Sequence, residues 1–231
     1  LYFTVVNQST DNEGTTTLTM RLNTNIEDCY MDFVYTLAAD DYMVDMSIQP
    51  HNMQWALAQN MSSLEMQWNQ LIPQQEKGRK FEEKYAQLQY MFVGGDIEKL
   101  SEMKADRAKE SARLKWIAYK DQFFSTVLIA GDAFESTQME STPMNALSRH
   151  IKEYKTTASL PFDITGKKDV DLKYYFGPNH YNTLKAYDKD VEKSERLHLN
   201  ELVPLGWKIV AWINKALVIP MFDLFSSWGL H

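Results

Sequence analysis

The C-terminal thirty residues constrain this chain more than any other segment. Between Leu202 and His231 only Lys208, Lys215 and Asp223 carry a full charge, and three of the six tryptophans lie in this segment. Apolar residues recur there at steps of three and four, which places them on one face of a helix. These residues are Val210, Ile213, Leu217, Met221, Leu224 and Trp228, and Lys208, Lys215 and Ser226 fall on the opposite face.

This pattern is typical of a helix that lies in a membrane interface. Such a helix has a strongly apolar face, lysines on the other side and tryptophans near its ends. A transmembrane helix is disfavoured, because it needs about 20 mainly apolar residues. Here two lysines interrupt the run, and Pro220 is expected to kink or break the helix. The alternative is a C-terminal helix that packs into the core of its own domain, as most amphipathic helices do.

Composition narrows the class of protein. A chain of 231 residues can bury a full core, as one large domain or two small ones. The net charge of −7 argues against a nucleic-acid-binding protein, which normally carries a basic patch. Basic residues do cluster at 77–80, 104–120 and 167–173, but acidic residues interleave with them, which indicates solvated faces. Cys29 is the only cysteine, so no internal disulfide can form, and we interpret it as a small core residue.

The bulk of the chain is patterned as strands and turns. About ten runs of β-branched, aromatic or alternating residues are separated by turn signals, which predicts an antiparallel sandwich. The chain is therefore predicted to be mainly β with C-terminal α-helices. The predicted strands are 1–7, 15–22, 30–37, 42–49, 61–70, 85–93, 116–129, 149–162 and 170–176.

Four segments depart from the strand pattern. Asp96–Leu114 is charged and carries a weak helical stripe, so it is predicted to be a surface helix or a mobile insertion. Gly131–Met144 is predicted to be a polar loop. Asn179 is a suitable N-cap for a short helix over His180–Tyr187. Lys189–Asn200 is interpreted as a charged linker to the terminal helix.

A search for catalytic or metal-binding motifs finds none in the sequence. The five histidines are scattered, and none pairs with another His or Cys at a metal-ligand spacing. Asp40 and Asp41 lie in a predicted hairpin turn, where Asp is expected for backbone reasons. We therefore predict a protein that is not an enzyme and has no cofactor. The aromatic strands Tyr30–Tyr35 and Tyr174–Phe176 leave open an alternative function, a carbohydrate- or peptide-binding sandwich.

Three blocks of sequence, Trp116–Ile129, Leu172–Lys185 and Leu202–Phe225, stand out in this order along the chain. Together they resemble the large periplasmic domain of the YidC membrane protein insertase family. Trp116–Ile129 is similar to one stretch of that domain. Leu172–Lys185, with its Tyr-Tyr-Phe-Gly-Pro core, resembles the strand and helix near the end of the domain. Leu202–Phe225 resembles the amphipathic helix that, in the family, lies along the outer leaflet before the second transmembrane helix.

The resemblance implies a domain organisation. Residues 1–200 would form a periplasmic β-supersandwich, with 96–114 as an insertion, and 201–231 an interfacial helix leading to a transmembrane helix outside this fragment. The absence of an initiator Met and the abrupt hydrophobic end agree with a piece of a longer protein. The implied location is the periplasmic side of a bacterial inner membrane.

The resemblance also implies a role. The family inserts and folds membrane proteins, alone or with the Sec translocon, and its active groove lies among transmembrane helices that are absent here. This fragment would therefore act as a non-catalytic scaffold and partner-binding domain. Its implied partners are the membrane surface, Sec translocon components and nascent membrane proteins. The residues expected at the membrane interface are Trp207, Lys208, Ile209, Trp212, Ile213, Lys215, Leu217 and Phe222.

Overall fold

Antiparallel strands dominate the computed structural model, which describes residues 2–204 and 218–227. The helices are α1 (Arg79–Tyr85), α2 (Tyr181–Ala186) and α3 (Ile219–Ser227), with short 3-10 turns at Met53–Trp55, Lys193–Glu195 and Leu199–Leu202. The strands are β1 (Phe3–Thr10), β2 (Thr16–Asn23), β3 (Tyr30–Leu37), β4 (Met43–His51), β5 (Ser63–Pro73), β6 (Gln87–Phe92), β7 (Ile97–Lys99), β8 (Asp106–Glu110), β9 (Leu114–Lys120), β10 (Phe124–Pro143), β11 (His150–Pro161) and β12 (Val170–Pro178).

The strands form two sheets that share one long strand. The larger sheet, sheet A, has the order β1-β2-β3-β4-β12-β10-β9-β6-β7. The smaller one, sheet B, has the order β5-β11-β10-β8. The described strand pairs are antiparallel. This arrangement confirms the predicted antiparallel β-supersandwich with C-terminal helices.

Strand β10 passes from sheet A into sheet B at Gly131. Its first half pairs with β12 and β9, and its second half pairs with β11 and β8. The register against β9 shifts between Ile129 and Phe134, which marks the bend. A Cβ atom at position 131 would lie 2.8 Å from the backbone oxygen of Asp171, so the crossing requires glycine.

The main core lies between the inner faces of the two sheets. Trp68 of β5 stacks on Tyr119 of β9 with ring centroids 3.7 Å apart. The Tyr119 hydroxyl donates to the Thr156 side chain at 2.7 Å, so the polar tip of this buried ring is satisfied. Large side chains from both sheets fill the surrounding space, among them Leu88, Leu114, Ile117, Leu128, Phe134, Ile151 and Tyr154.

A second core covers the outer face of sheet A. Leu184 of α2 and Leu199 and Leu202 of the last 3-10 turn are fully buried there. They pack on Trp116, Val127 and other residues whose side chains point away from sheet B. The chain after β12 therefore forms a third layer over the centre of sheet A.

The helical interpretation of Asp96–Leu114 is wrong. This segment contains β7, which pairs with β6, and β8, which pairs with β10 over five residues. The spacing of apolar residues in this segment suggested a helix. Intrinsic helix propensity is small, however, and hydrogen bonding to neighbouring strands outweighs it here. The alternating exposure of β8 agrees with a strand that has one face on the core.

The polar loop predicted for Gly131–Met144 is also wrong. These residues are the second half of β10, with Thr137, Met139 and Ser141 buried. Asn179 does not cap α2, since the N-cap residue is His180. The Asn179 side chain instead accepts a hydrogen bond from Ser125 and donates to the carbonyl oxygens of Asp121 and Phe124.

Candidate membrane and partner-binding surfaces

Helix α3 carries the described part of the predicted interfacial segment. Pro220 is the second residue of this helix. Three large apolar side chains on α3 are exposed, namely Met221 at 46%, Phe222 at 69% and Leu224 at 50%. A helix with this much exposed apolar surface is suited to an apolar partner or a lipid surface.

Of the eight residues predicted at the membrane interface, only Phe222 lies within the described part of the chain, and it is exposed. Trp207, Lys208, Ile209, Trp212, Ile213, Lys215 and Leu217 lie outside the described residues. Within residues 2–204 and 218–227, no helix has the length and apolar character needed to cross a bilayer.

The segment that leads toward α3 is folded on itself by polar contacts and tied to the sandwich by one hydrogen bond of Tyr187. Asp188 accepts hydrogen bonds from the backbone N–H groups of Leu197 and His198, at 2.6 and 2.9 Å. The Tyr187 hydroxyl donates to Asp41 at 2.5 Å, in the turn between β3 and β4. Residues 187–203 are therefore fixed to the body of the domain rather than forming a free linker.

A cavity of about 800 Å³ separates this segment from the outer face of sheet A. Its floor is apolar and includes Met43, Met91 and Ile129, while its rim carries charges of both signs. Lys173 pairs with Asp45 at 2.8 Å on that rim. Lys115 donates to the Gly131 carbonyl oxygen at 2.7 Å, and burial lowers the pKa of its amine.

The described residues offer no cluster suited to metal binding. They contain no group of three or more His, Cys, Asp or Glu side chains that could hold a metal ion. Asp169 and Asp171 lie side by side, but both accept hydrogen bonds from Ser47, and Asp169 also accepts one from Gln49. Cys29 is buried, with its thiol directed at the Asn52 carbonyl oxygen.

The aromatic strands do not line one common groove. Tyr30 lies on the outer face of sheet A, where the Arg21 guanidinium sits 3.5 Å from its ring centroid. Tyr175 is buried on that same outer face. Tyr174 and Phe176 point to the inner face, where their rings stack at 5.4 Å. Strand alternation thus divides the predicted aromatic set between two surfaces.

Two buried lysines were missed by the sequence analysis. Lys152 and Lys120 are 1% and 3% exposed, and both amines donate to carbonyl oxygens at the C-terminal end of α1. Lys152 binds the oxygens of Ala86 and Glu102, and Lys120 binds that of Tyr85. Cations there satisfy carbonyls that a helix leaves unpaired. Each is followed directly by an acidic residue, Glu153 or Asp121, so the local sequence gave no signal of burial.

Fold and surface together define a class of protein: a β-supersandwich domain whose chain continues, through a layer packed on one sheet, into a helix with an exposed apolar face. The family model described as the YidC periplasmic domain matches residues 1–220. The chain therefore belongs to the YidC periplasmic domain family.

Whole-protein relatives agree with this assignment. The membrane protein insertase YidC of Parabacteroides distasonis is 46% identical over 228 residues, which cover 99% of this chain and 35% of the relative. The YidC of Azobacteroides pseudotrichonymphae is 48% identical over 208 residues, which cover 90% of this chain and 34% of the relative. That of Bacteroides fragilis is 43% identical over 229 residues, 99% of this chain and 36% of the relative. The chain thus spans about a third of the length of these relatives.

Among solved structures, heparan sulfate lyase HepC from Pedobacter heparinus aligns with a TM-score of 0.39 and 11% identity, over 76% of this chain and 22% of that protein. A likeness of this size carries no argument about fold or function.

Proposed function

We propose that this chain is the non-catalytic periplasmic domain of a bacterial inner-membrane protein insertase. It would act as a scaffold and partner-binding module for a protein that inserts and folds membrane proteins, alone or with the Sec translocon. Family membership and the naming of the relatives as membrane protein insertases support this role. The insertion step itself would belong to the remaining two thirds of such a protein.

The single observation that carries the membrane-facing part of the proposal is the exposed apolar side of α3. Phe222 and Met221 together leave large apolar surfaces in water, and burying such surface is favourable by about 25 cal/mol per Å². A lipid interface is the environment that the flanking tryptophans and lysines of the segment also favour. The proposed partners are therefore the membrane surface, Sec translocon components and nascent membrane proteins.

The test of function uses a full-length insertase that carries this domain. Deleting residues 205–231, which leaves the buried Leu202 in place, should reduce insertion of a client membrane protein, scored by protease protection of its exported loop. Substituting Trp55, an exposed residue on the sandwich, should leave insertion unchanged. Normal insertion by the deletion variant, at equal protein level, would contradict the proposal. The alternative of a carbohydrate- or peptide-binding sandwich gains no support from the described residues.

A further inference from the structure

One end of the sandwich brings turns from both sheets together. In sheet A, the β9–β10 turn lies beside the end of β12, because Phe124 pairs with Pro178. The β3–β4 turn adjoins them through a hydrogen bond from the Phe176 N–H to the Tyr42 carbonyl oxygen. In sheet B, the end of β5 meets the β10–β11 turn, since the last residue of β5 pairs with the first residue of β11.

Helix α1 connects these two groups of turns. Arg79 in its first turn donates to carbonyl oxygens of the β10–β11 turn in sheet B. At its C-terminal end, the Tyr85 carbonyl oxygen accepts a hydrogen bond from Lys120 of sheet A. The loop between β7 and β8 joins them through Lys152, whose amine binds carbonyl oxygens of that loop and of the residue after α1. We call α1, these turns and this loop the α1 end.

The α1 end exposes large apolar side chains from several of its parts. Leu147 in the β10–β11 turn is 95% exposed, and Phe81 of α1 is 56% exposed. Aromatic rings at a protein surface favour the headgroup region of a bilayer. In the turns of the opposite end, the exposed residues of this kind are Ile26, Trp55 and Val93. Those at the α1 end include Tyr42, Phe81, Phe123, Phe124, Leu147 and Phe176.

Folding separates the charges that alternate along the sequence around α1. Glu82 is 2% exposed, and its carboxylate accepts hydrogen bonds from the backbone N–H groups of Gln75 and Glu76. Glu83 pairs with Arg79 at 2.6 Å. These carboxylates are therefore used inside the fold, whereas the lysines remain on the surface. The exposed basic residues of the α1 end are Lys77, Lys80, Lys84, Lys104 and Arg149.

The α1 end is consequently basic, although the whole chain carries a net charge of −7. Its exposed carboxylates are those of Glu76 and Asp40. Asp121 accepts hydrogen bonds from two N–H groups of its own turn, and Asp41 accepts one from the Tyr187 hydroxyl. A surface that combines exposed aromatic rings with lysines complements a layer of anionic lipid headgroups.

We propose that the α1 end is a second membrane-contact surface, which rests on anionic phospholipid when residues 201–231 hold the domain at the bilayer. Its aromatic side chains enter the headgroup layer, and its lysines lie beside the lipid phosphates. The contributing residues come from separate turns, which suits a fluid lipid layer that adapts to each of them. The inference rests on the membrane-binding role proposed for the terminal segment, because the net charge of −7 opposes binding by the α1 end alone.

Fluorescent probes at the two ends test which of them meets the lipid. Ala146→Cys lies in the β10–β11 turn, and Ser62→Cys lies just before β5 at the opposite end; both positions are exposed. Each is made in the whole chain with Cys29→Ala and labelled with the polarity-sensitive dye NBD. On binding to vesicles of phosphatidylcholine and phosphatidylglycerol, the dye at position 146 should brighten and shift to shorter wavelength. The dye at position 62 should not change.

Two variants with the same net charge test the lysines. Lys80→Gln with Lys84→Gln removes two charges from the α1 end and should weaken binding to these vesicles about tenfold. Lys167→Gln with Lys168→Gln removes two charges from the β11–β12 turn at the opposite end. This second variant should change binding less than about twofold, because β12 separates the ends by roughly 25 Å, more than a Debye length. All four lysines are exposed, so both variants should keep the unfolding midpoint.

The outcomes separate this inference from the role of the terminal segment. Vesicle binding with equal dye responses at the two ends, or equal affinities of the two charge variants, would overturn the inference and leave the role of residues 201–231 intact. Binding by none of the labelled chains would overturn both. A dye response at position 146 that requires Sec translocon in the vesicles would assign the α1 end to a protein partner and overturn the lipid assignment.

Discussion

The indole Nε1 of Trp116 donates a hydrogen bond of 2.7 Å to the carbonyl oxygen of Leu197, 81 residues further along the chain. Trp116 is completely buried at the centre of the outer face of sheet A. This bond, with the contacts of Asp188, fixes the segment that leads out of the sandwich. It couples β9, which pairs with β10 in sheet A, to the path of the chain toward α3.

Replacing Trp116 with Phe should loosen that segment. The variant loses the donor, leaves the Leu197 carbonyl without its partner and removes part of a buried ring, for a cost of about 2–4 kcal/mol in the free energy of unfolding. Urea denaturation measures the loss, and hydrogen exchange should accelerate mainly in residues 187–203. Trp55→Phe, at an exposed residue, should cost less than about 0.5 kcal/mol. Equal costs for the two variants would contradict this role of Trp116.

Buried lysines should make stability depend on pH. Burial lowers the pKa of Lys152 to about 8 from its ordinary 10.5, and it lowers the pKa of Lys120 in the same direction. Between pH 8 and about 10 the unfolded chain then binds more protons than the folded chain, so the free energy of unfolding should rise with pH. Each such proton contributes at most about 1.4 kcal/mol per pH unit.

Buried tyrosines set the upper end of the pH range in which stability rises. Burial raises the pKa of Tyr119 and Tyr154 above 10, so above pH 10 the folded chain keeps more protons and its stability should fall. Lys152→Met should flatten the rise measured by urea denaturation between pH 8 and 9.5. Lys155→Met, on the exposed side of the same strand, should retain it. A rise that is unchanged in Lys152→Met would show that Lys152 is not its source.

Arg79 should be essential for the turn between β10 and β11. Its guanidinium donates to the carbonyl oxygens of Met144, Asn145, Ser148 and His150, and it pairs with Glu83 at 2.6 Å. Lysine has one amine and cannot span these acceptors, so Arg79→Lys should cost about 2–3 kcal/mol.

The matched control for Arg79 is Arg107→Lys on β8, a position whose side chain is exposed. It should change the free energy of unfolding by less than about 0.5 kcal/mol. If Arg79→Lys is as stable as this control, the four carbonyl contacts do not hold the turn.

Gly131 should tolerate no side chain. A Cβ there would lie 2.8 Å from the Asp171 carbonyl oxygen, at the point where β10 leaves sheet A. Gly131→Ala should therefore destabilise the domain by about 1–3 kcal/mol. Gly94→Ala, where no atom lies within 4 Å of the added carbon, is the control and should be neutral within about 0.5 kcal/mol. Equal thermal midpoints for the two variants would contradict the close approach.

The sequence predicts strands well where one face is apolar and the other is not. The predicted limits of β3, Tyr30–Leu37, are those observed, and Asp40 lies in the predicted turn with a positive φ of 56°. The short helix after Pro178 is also confirmed, at Tyr181–Ala186. In these elements local pattern and tertiary environment agree, so periodicity suffices to locate them.

Prediction fails where polar residues are buried. The second half of β10 buries Thr137 and Ser141, which are polar. Strand β8 consists mostly of charged residues, and it is held by pairing with β10. Helix α1 is missed because its basic residues suggest a solvated surface, although Arg79 makes the contacts described above. β8 and the second half of β10 depend on pairing with distant strands, which leaves no local signal in the sequence. The residues at the predicted membrane interface, Phe222 apart, lie outside the described part of the chain.

The most direct test of the central claim is liposome co-flotation of this chain beside a version that ends at Pro204 and so keeps the buried Leu202. Vesicles of neutral and of partly anionic phospholipid should be compared, because the lysines of the segment favour anionic headgroups. We expect the full chain to float with the vesicles, more strongly with anionic lipid, and the shortened chain to remain at the bottom of the gradient. Equal behaviour of the two chains, whether both float or neither does, would contradict a membrane-binding role for residues 201–231.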